Sequence, residues 1–393
     1  MSWMKPFSRL SEKQQHVLSD INRNIKDTHW IQGYAGTGKT LLLVHAIEKL
    51  VDSSATPTIC FITFTHSLKD LVASGLSARV STRVSVMTHK LFISEKKRFD
   101  FVFLDEVQDI SVEDLKKIKA LAGTVQVAGD PEQSLYKEGA RELDITGLLT
   151  PKKHGLFEIF RLSKLIREVA VAILPKSRLV EGQPKASDAD VSIKLLKFND
   201  EKTEAAWVFE EARFDAKGDF KASAILFSTH DAIMKFSALV AKHLQLPAPP
   251  KWESVHPAKR RDSKVSGKDY TEFNEFWKRH GIPLMYFGNG NGSLDDSKFK
   301  PMVYLMTYHS SKGLDFKSVY LPAANEDLYL FPEATDPDAE RRLLFVAVTR
   351  SRQDLYISYT SKRPRDLLQG LPTGVVVEAS PRIRVNENSE ELF

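Results

Sequence analysis

Short apolar runs rich in β-branched residues alternate along this chain with stretches in which apolar positions recur every three or four residues. Trp30–Gln32, Thr58–Thr63, Phe101–Leu104 and Thr124–Ala128 read as strands, with Leu41–Leu50 as a helix between the first two. Runs apolar on both faces of the pleat, separated by helical patterns, predict a parallel α/β sheet covered on both sides. A second series follows the same scheme, with Ala224–Ser228, Leu284–Phe287, Met302–Met306, Ser318–Leu321 and Leu355–Ser358 as strands and Lys235–Leu244 and Asp338–Val348 as helices. Two α/β domains are expected, residues 1–150 and 151–380, parted between Thr146 and Gly155, where Pro151, Lys152, Lys153 and Gly155 interrupt the pattern. Residues 381–393 are expected to be a frayed tail. Pro247–Lys268, with four prolines and the cluster Lys259, Arg260, Arg261, Lys264 and Lys268, reads as a solvated basic loop.

Composition narrows the class. At 393 residues, 42% hydrophobic and 27% charged, the chain can bury substantial cores, and disorder is excluded for its bulk. Cys60 is the single cysteine, which excludes an internal disulfide and a cysteine-built zinc site and fits a reducing cytoplasm. No run of about 18 apolar residues occurs, as a membrane-spanning helix requires, and Met1–Leu10 lacks the apolar core of a secretion signal. A cytoplasmic location is the expectation. The net charge of +5 permits binding to a polyanion without demanding it, so partners must be read from motifs.

Gly33-Tyr34-Ala35-Gly36-Thr37-Gly38-Lys39-Thr40 fits the phosphate-loop pattern G-x-x-x-x-G-K-[ST], between a strand end and a helix as that motif demands. Gly33, Gly36, Thr37 and Gly38 form the cradle, whose backbone N–H groups turn onto phosphate oxygens with the helix dipole behind them. Lys39 reaches the outer phosphates, and the Thr40 hydroxyl can ligate Mg²⁺. Phe101–Leu104 runs into Asp105 and Glu106, an apolar strand ending in two acids. Asp105 is placed to meet Mg²⁺ at the carboxyl edge of the sheet, and Glu106 to orient or deprotonate an attacking water, which points to hydrolysis. After the next strand, Gln133 can sense the γ-phosphate or hold the water. ATP and Mg²⁺ are the expected ligands.

Together these segments closely resemble the UvrD/Rep-like branch of superfamily 1 helicases over most of the chain. The resemblance implies two RecA-like domains with ATP between them. It also implies an adenine-reading glutamine at Gln14, and contacts to the nucleic-acid backbone at Thr65 and His66 and at Thr88 and His89. Gly129–Tyr136 matches the segment that carries Tyr136 to the nucleic acid. Phe160-Arg161-Leu162-Ser163 is similar to the family's Asn-Tyr-Arg-Ser element, with Phe160 stacking on adenine and Arg161 reaching the γ-phosphate across the cleft. Met306–Phe316 is nearly the fifth motif, with Thr307, His309 and Ser310 toward the strand and Gly313 and Asp315 toward the nucleotide, Asp315 standing where Glu is usual. Glu340–Arg350 matches the sixth, whose final residue, Arg350, is the arginine finger.

Departures from the family matter as much. Neither Thr65–Thr88 nor His89–Asp105 leaves room for the large accessory insertion of the first domain, and Ser228–Pro301 lacks that of the second. The tryptophan that relatives place after Tyr136 is absent, and Leu41 replaces a frequent arginine. The reading is an ATP-dependent motor that hydrolyses ATP with stimulation by a single strand, DNA before RNA, and translocates on it. The rival is a nucleotide-gated ATPase subunit of a larger assembly, such as a nuclease complex, whose partner supplies the duplex-separating or nuclease function.

Overall fold

The computed structural model describes residues 4–52, 56–131, 134, 138–217, 222–254, 267–294, 297, 300–325 and 337–381. Gln133 and Tyr136, the basic cluster from Lys259 to Lys264 and the tail from residue 382 lie outside the described residues.

Strands β1 (His29–Gly33), β2 (Ile59–Thr63), β3 (Val84–Thr88), β4 (Phe99–Leu104), β5 (Ala122–Gly129) and β6 (Lys152–Leu156) form an all-parallel sheet in the order β3-β2-β4-β5-β1-β6. All five residues of β2 are buried, because both faces are covered. Ile31, Phe61, Phe103 and Ala128 pack under the helices Glu12–Arg23 and Lys39–Asp52, while Trp30, Cys60, Ile62, Val102 and Val127 fill the opposite face. That alternation is the period-two signature of a sheet with two dry sides.

Two two-residue strands, β7 (Glu158–Ile159) and β8 (Gln183–Pro184), pair beside the phosphate loop. The second sheet then takes β9 (Ser192–Lys197) and β10 (Ala222–Phe227). After a small hairpin of β11 (Glu253–Ser254) and β12 (Lys268–Asp269), it adds β13 (Leu284–Tyr286), β14 (Met302–Thr307), β15 (Phe316–Leu321), β16 (Ser351–Tyr359) and β17 (Val377–Ala379). Its order is β13-β14-β10-β15-β16-β9-β17, again all parallel. The protein is thus α/β with two large parallel sheets, the architecture of paired RecA-like domains. Tyr34 and Ala35 of the phosphate loop pack into the same apolar cluster as Ile166, Leu314 and Leu344, so the two halves share core at the nucleotide loop.

Of the strands in the two large sheets, β3, β6, β9 and β17 were not legible as such. The break read at Thr146–Gly155 contains β6, which pairs with β1 from His29↔Lys152 to Gly33↔Leu156; the first sheet therefore runs beyond residue 150. As an edge strand β6 buries His154 and Leu156 while Lys152 and Lys153 face water, so its sequence looks like a polar linker. β3 and β9 also went unread, β9 because lysines punctuate its apolar positions.

Parallel strands deliver their carboxyl ends to one edge. Gly33, Thr63, Thr88, Leu104 and Gly129 leave the first sheet there, which is where ligands meet open α/β sheets.

Candidate functional site

The phosphate loop is built with no room to spare. Gly36 and Gly38 have φ of +80° and +89°, and an added Cβ would lie 2.7 Å from the Arg161 Cβ at Gly36 and 2.7 Å from Gln14 Nε2 at Gly38. Gln14 is buried at the start of helix Glu12–Arg23, where its side-chain carbonyl accepts from the Ser11 N–H at 3.0 Å in a capping box. Its amide nitrogen donates to the Thr37 carbonyl at 2.9 Å, tying helix to loop. Lys39 Nζ donates to the Gly33 and Tyr34 carbonyls at 2.7 and 3.1 Å.

Beside the loop, the Thr40 hydroxyl donates to Asp105 Oδ2 at 2.6 Å. Glu106 takes a left-handed conformation, φ +54°, and its N–H donates to Asp105 Oδ1 at 3.0 Å. Burial, reinforced by the Glu106 charge, pushes the Asp105 carboxyl well above its ordinary range. For Glu106 burial acts in the same direction but is outweighed by Lys312 and Lys39, which hold it low. Burial thus disfavours the charged form of Asp105, whereas Glu106 is held as a carboxylate by the facing lysines.

The rest of the site comes from the second half of the chain. A cavity of about 370 Å³ is lined by Gln14, Lys39, Thr40 and Glu106 on one side and by Phe160, Arg161, Lys312, Asp315, Arg350 and Arg352 on the other. The Phe160 N–H donates to the Gly36 carbonyl at 3.0 Å. Arg161 lies 3.6 Å from Asp315, and its buried Nε has no hydrogen-bond partner among the described residues. Arg350, 3% exposed, donates to the Val346 and Leu314 carbonyls at 2.8 and 2.9 Å and to the Thr349 hydroxyl at 2.9 Å. It therefore closes its own helix and also faces the cavity.

Sequence reasoning gave no role to four cavity-lining cations, Lys5, Arg9, Lys312 and Arg352, of which the last two are tied to the acids of the site. Lys312 is buried, 2.5 Å from the buried Asp109 and 3.6 Å from Glu106, and so joins the fifth motif directly to the acids of the first sheet. Beside it Gly313 (φ +85°) lies so near the helix after Thr65 that a Cβ would meet Leu68 at 2.9 Å. Arg352 forms an ion pair with Asp315. No signal in the sequence marked them: Lys312 stands among Thr307, His309, Ser310, Ser311 and Asp315, and Arg352 between Ser351 and Gln353, where a cation reads as solvated.

The candidate strand-binding residues sit at strand ends. Thr65 caps helix His66–Gly75 by accepting from the Leu68 N–H at 3.2 Å. Thr88 ends β3, and His89 is buried with its ring stacked on Phe64 at 5.0 Å. The Thr307 and Ser310 hydroxyls lie 2.9 Å apart and are buried, spent on the turn that carries the half-buried His309. Burial depresses His66, His89 and His309 to about 4, so all three are neutral at pH 7.

Residues 268–362 match the UvrD-like helicase C-terminal domain and residues 9–171 the AAA domain. DNA helicase II of Rickettsia typhi is 28% identical over 106 residues, 25% of this chain and 16% of that protein. The ATP-dependent DNA helicase Rep of Buchnera aphidicola subsp. Schizaphis graminum is 42% identical over 67 residues, 16% of this chain and 10% of that protein. The matched region thus spans less than a fifth of the length of either relative. A solved structure, the arterivirus nonstructural protein 10 helicase, aligns over 90% of this chain and 64% of its own with a TM-score of 0.43 and 16% identity. The phosphate loop, the acid pair and Arg161 thus lie in the segment similar to an AAA domain, and Lys312, Asp315 and Arg350 in the segment similar to the C-terminal domain of UvrD-like helicases.

Proposed function

We propose that this protein is an ATP-hydrolysing motor that moves along single-stranded nucleic acid, DNA in keeping with the names of its relatives, in the cytoplasm. The observation that carries the reading is the convergence of Arg161 and Arg350 from one half on Lys39, Thr40 and Glu106 from the other across a single cavity. The unpartnered Arg161 Nε is a donor that a phosphate oxygen would satisfy. Gln14 and Phe160 are assigned to the adenine, Lys39 to the outer phosphates and Glu106 to the attacking water. Arg161 and Arg350 neutralise charge that develops on the transferred phosphoryl group, so turnover requires both halves. The domain boundary is placed after β6, between Leu156 and Lys164.

Thr40 and Asp105 suit Mg²⁺: both offer oxygen, and a carboxylate whose burial outweighs the pull of Lys39 is the environment a hard dication relieves. Mg²⁺ held there supplies charge neutralisation for the phosphates. Asp315, set between Arg161 and Arg352, is the nucleotide-side acid of the second half, and Gly313 permits the approach of the two halves. Thr65, His66, Thr88, His89 and His309 border the strand path, Thr307 and Ser310 shaping the turn that presents His309. No helix among the described residues is long and apolar enough to cross a membrane.

The test is ATP hydrolysis by the purified chain with and without single-stranded DNA, next to strand displacement on a tailed duplex. Strand-stimulated hydrolysis with weak displacement of long duplexes is expected, because accessory insertions and a base-stacking tryptophan are absent from the sequence; a partner protein would then supply the wedge. Hydrolysis indifferent to the strand would sink the motor and favour the nucleotide-gated subunit.

A further inference from the structure

We propose that Asp20, His29 and His154 form a binding site for a divalent transition-metal ion of the zinc class, separate from the nucleotide cleft. The three residues come from helix Glu12–Arg23, β1 and β6, and their donor atoms all lie within 4.8 Å of one another. His29 Nδ1 and His154 Nε2 are 2.8 Å apart, and His154 Nε2 is 3.8 Å from Asp20 Oδ2. A tetrahedral ion with Zn–N and Zn–O bonds of about 2.0–2.1 Å separates its ligand atoms by about 3.3 Å, so shifts of roughly half an ångström seat it.

The surroundings are those of ligating histidines. His29 Nε2 faces the Asn24 carbonyl at 3.0 Å, an acceptor only. That contact fixes the proton on Nε2 and leaves the Nδ1 lone pair aimed at the cluster, as outer-shell carbonyls do in metal sites. The Asn24 amide also holds Asp20 at 3.2 Å. Both imidazoles are buried, 1% and 8% exposed, and burial with the neighbouring His29 keeps His154 neutral. Metal binding requires that His154 carry its proton on Nδ1, an internal shift with no net proton change. Lys152 now pairs with Asp20 at 2.6 Å; its side chain is 56% exposed and can swing into water, so it competes with the ion. An imidazole and carboxylate set suits zinc and its neighbours better than Mg²⁺ or Ca²⁺. The ion would pin helix Glu12–Arg23 to the sheet edge, and that helix carries Gln14 to the phosphate loop.

The experiment uses the full chain stripped of metal by chelation and titrated with Zn²⁺ against a chromophoric competitor, with Co²⁺ absorption and the thermal midpoint as further readouts. One tightly bound Zn²⁺ per chain, a raised midpoint and a tetrahedral Co²⁺ spectrum are expected. His29→Gln and His154→Gln should each weaken binding by about 100-fold or more. Lys152→Ala, at an exposed position that leaves the fold intact, should tighten it by about tenfold by removing the competitor. Absence of stoichiometric Zn²⁺ binding overturns the proposal and leaves a hydrogen-bonded histidine pair. Unchanged affinity in both histidine variants, or in Lys152→Ala, overturns it equally.

Discussion

Replacing Lys312 with Met tests how the two halves are joined. Lys312 is 4% exposed, Asp109 4% exposed with its carboxylate fully buried, and the two charges are 2.5 Å apart, with Glu106 at 3.6 Å. Two unit charges at about 4 Å interact by roughly 4 kcal/mol at an effective dielectric of 20, and removing one partner of a buried pair costs about 3–5 kcal/mol because the other stays desolvated. Lys312→Met should therefore lower the unfolding free energy by about that amount. Asp109→Leu should cost a comparable sum, while the double variant, with both charges gone, should recover most of one loss. Urea unfolding followed by tryptophan fluorescence at pH 7.5 measures all four corners of the cycle. Losses that add within about 0.5 kcal/mol would mean the pair is uncoupled and would refute the reasoning. The sign in pH is also fixed. Burial lowers the Lys312 pKa but Asp109 and Glu106 raise it further, so the pair stabilises below pH 10.5 and its contribution is lost as pH rises through the elevated folded value.

Glu106→Gln should abolish ATP turnover yet keep nucleotide affinity, whereas Lys39→Ala should lose both, as equilibrium binding of a labelled nucleotide beside steady-state hydrolysis will reveal; near-normal turnover in Glu106→Gln contradicts the assignment. Arg161→Ala and Arg350→Ala should each cut hydrolysis by about 10³-fold or more, read from single-turnover kinetics normalised to folded protein. His89, depressed to about 4 by burial, binds its proton in the unfolded state first, so stability is full above about 6.5 and is lost as pH falls toward 4. His89→Gln should flatten that decline by about 1.4 kcal/mol per pH unit, measured by denaturant unfolding between pH 6.5 and 4.5; an unchanged slope removes His89 as a contributor.

The candidate nucleotide site was legible in the chain because its segments are local. A phosphate loop, an acid-tipped strand and an arginine at a helix end each fit within a dozen residues, where backbone spacing alone fixes which groups meet. Central strands were legible too: β2 and β14 are buried on both faces, so every position but the closing Thr63 and Thr307 carries an apolar or aromatic side chain. β6 was not, since an edge strand needs only its inward residues apolar and its lysines imitate a linker. Tertiary structure alone decided which distant groups share a space. Lys312 and Asp109 are 203 residues apart in sequence, and His29 and His154 are 125 apart. The partner of a buried charge is set by strand register and by how two halves close, and neither leaves a periodic trace in the sequence around it.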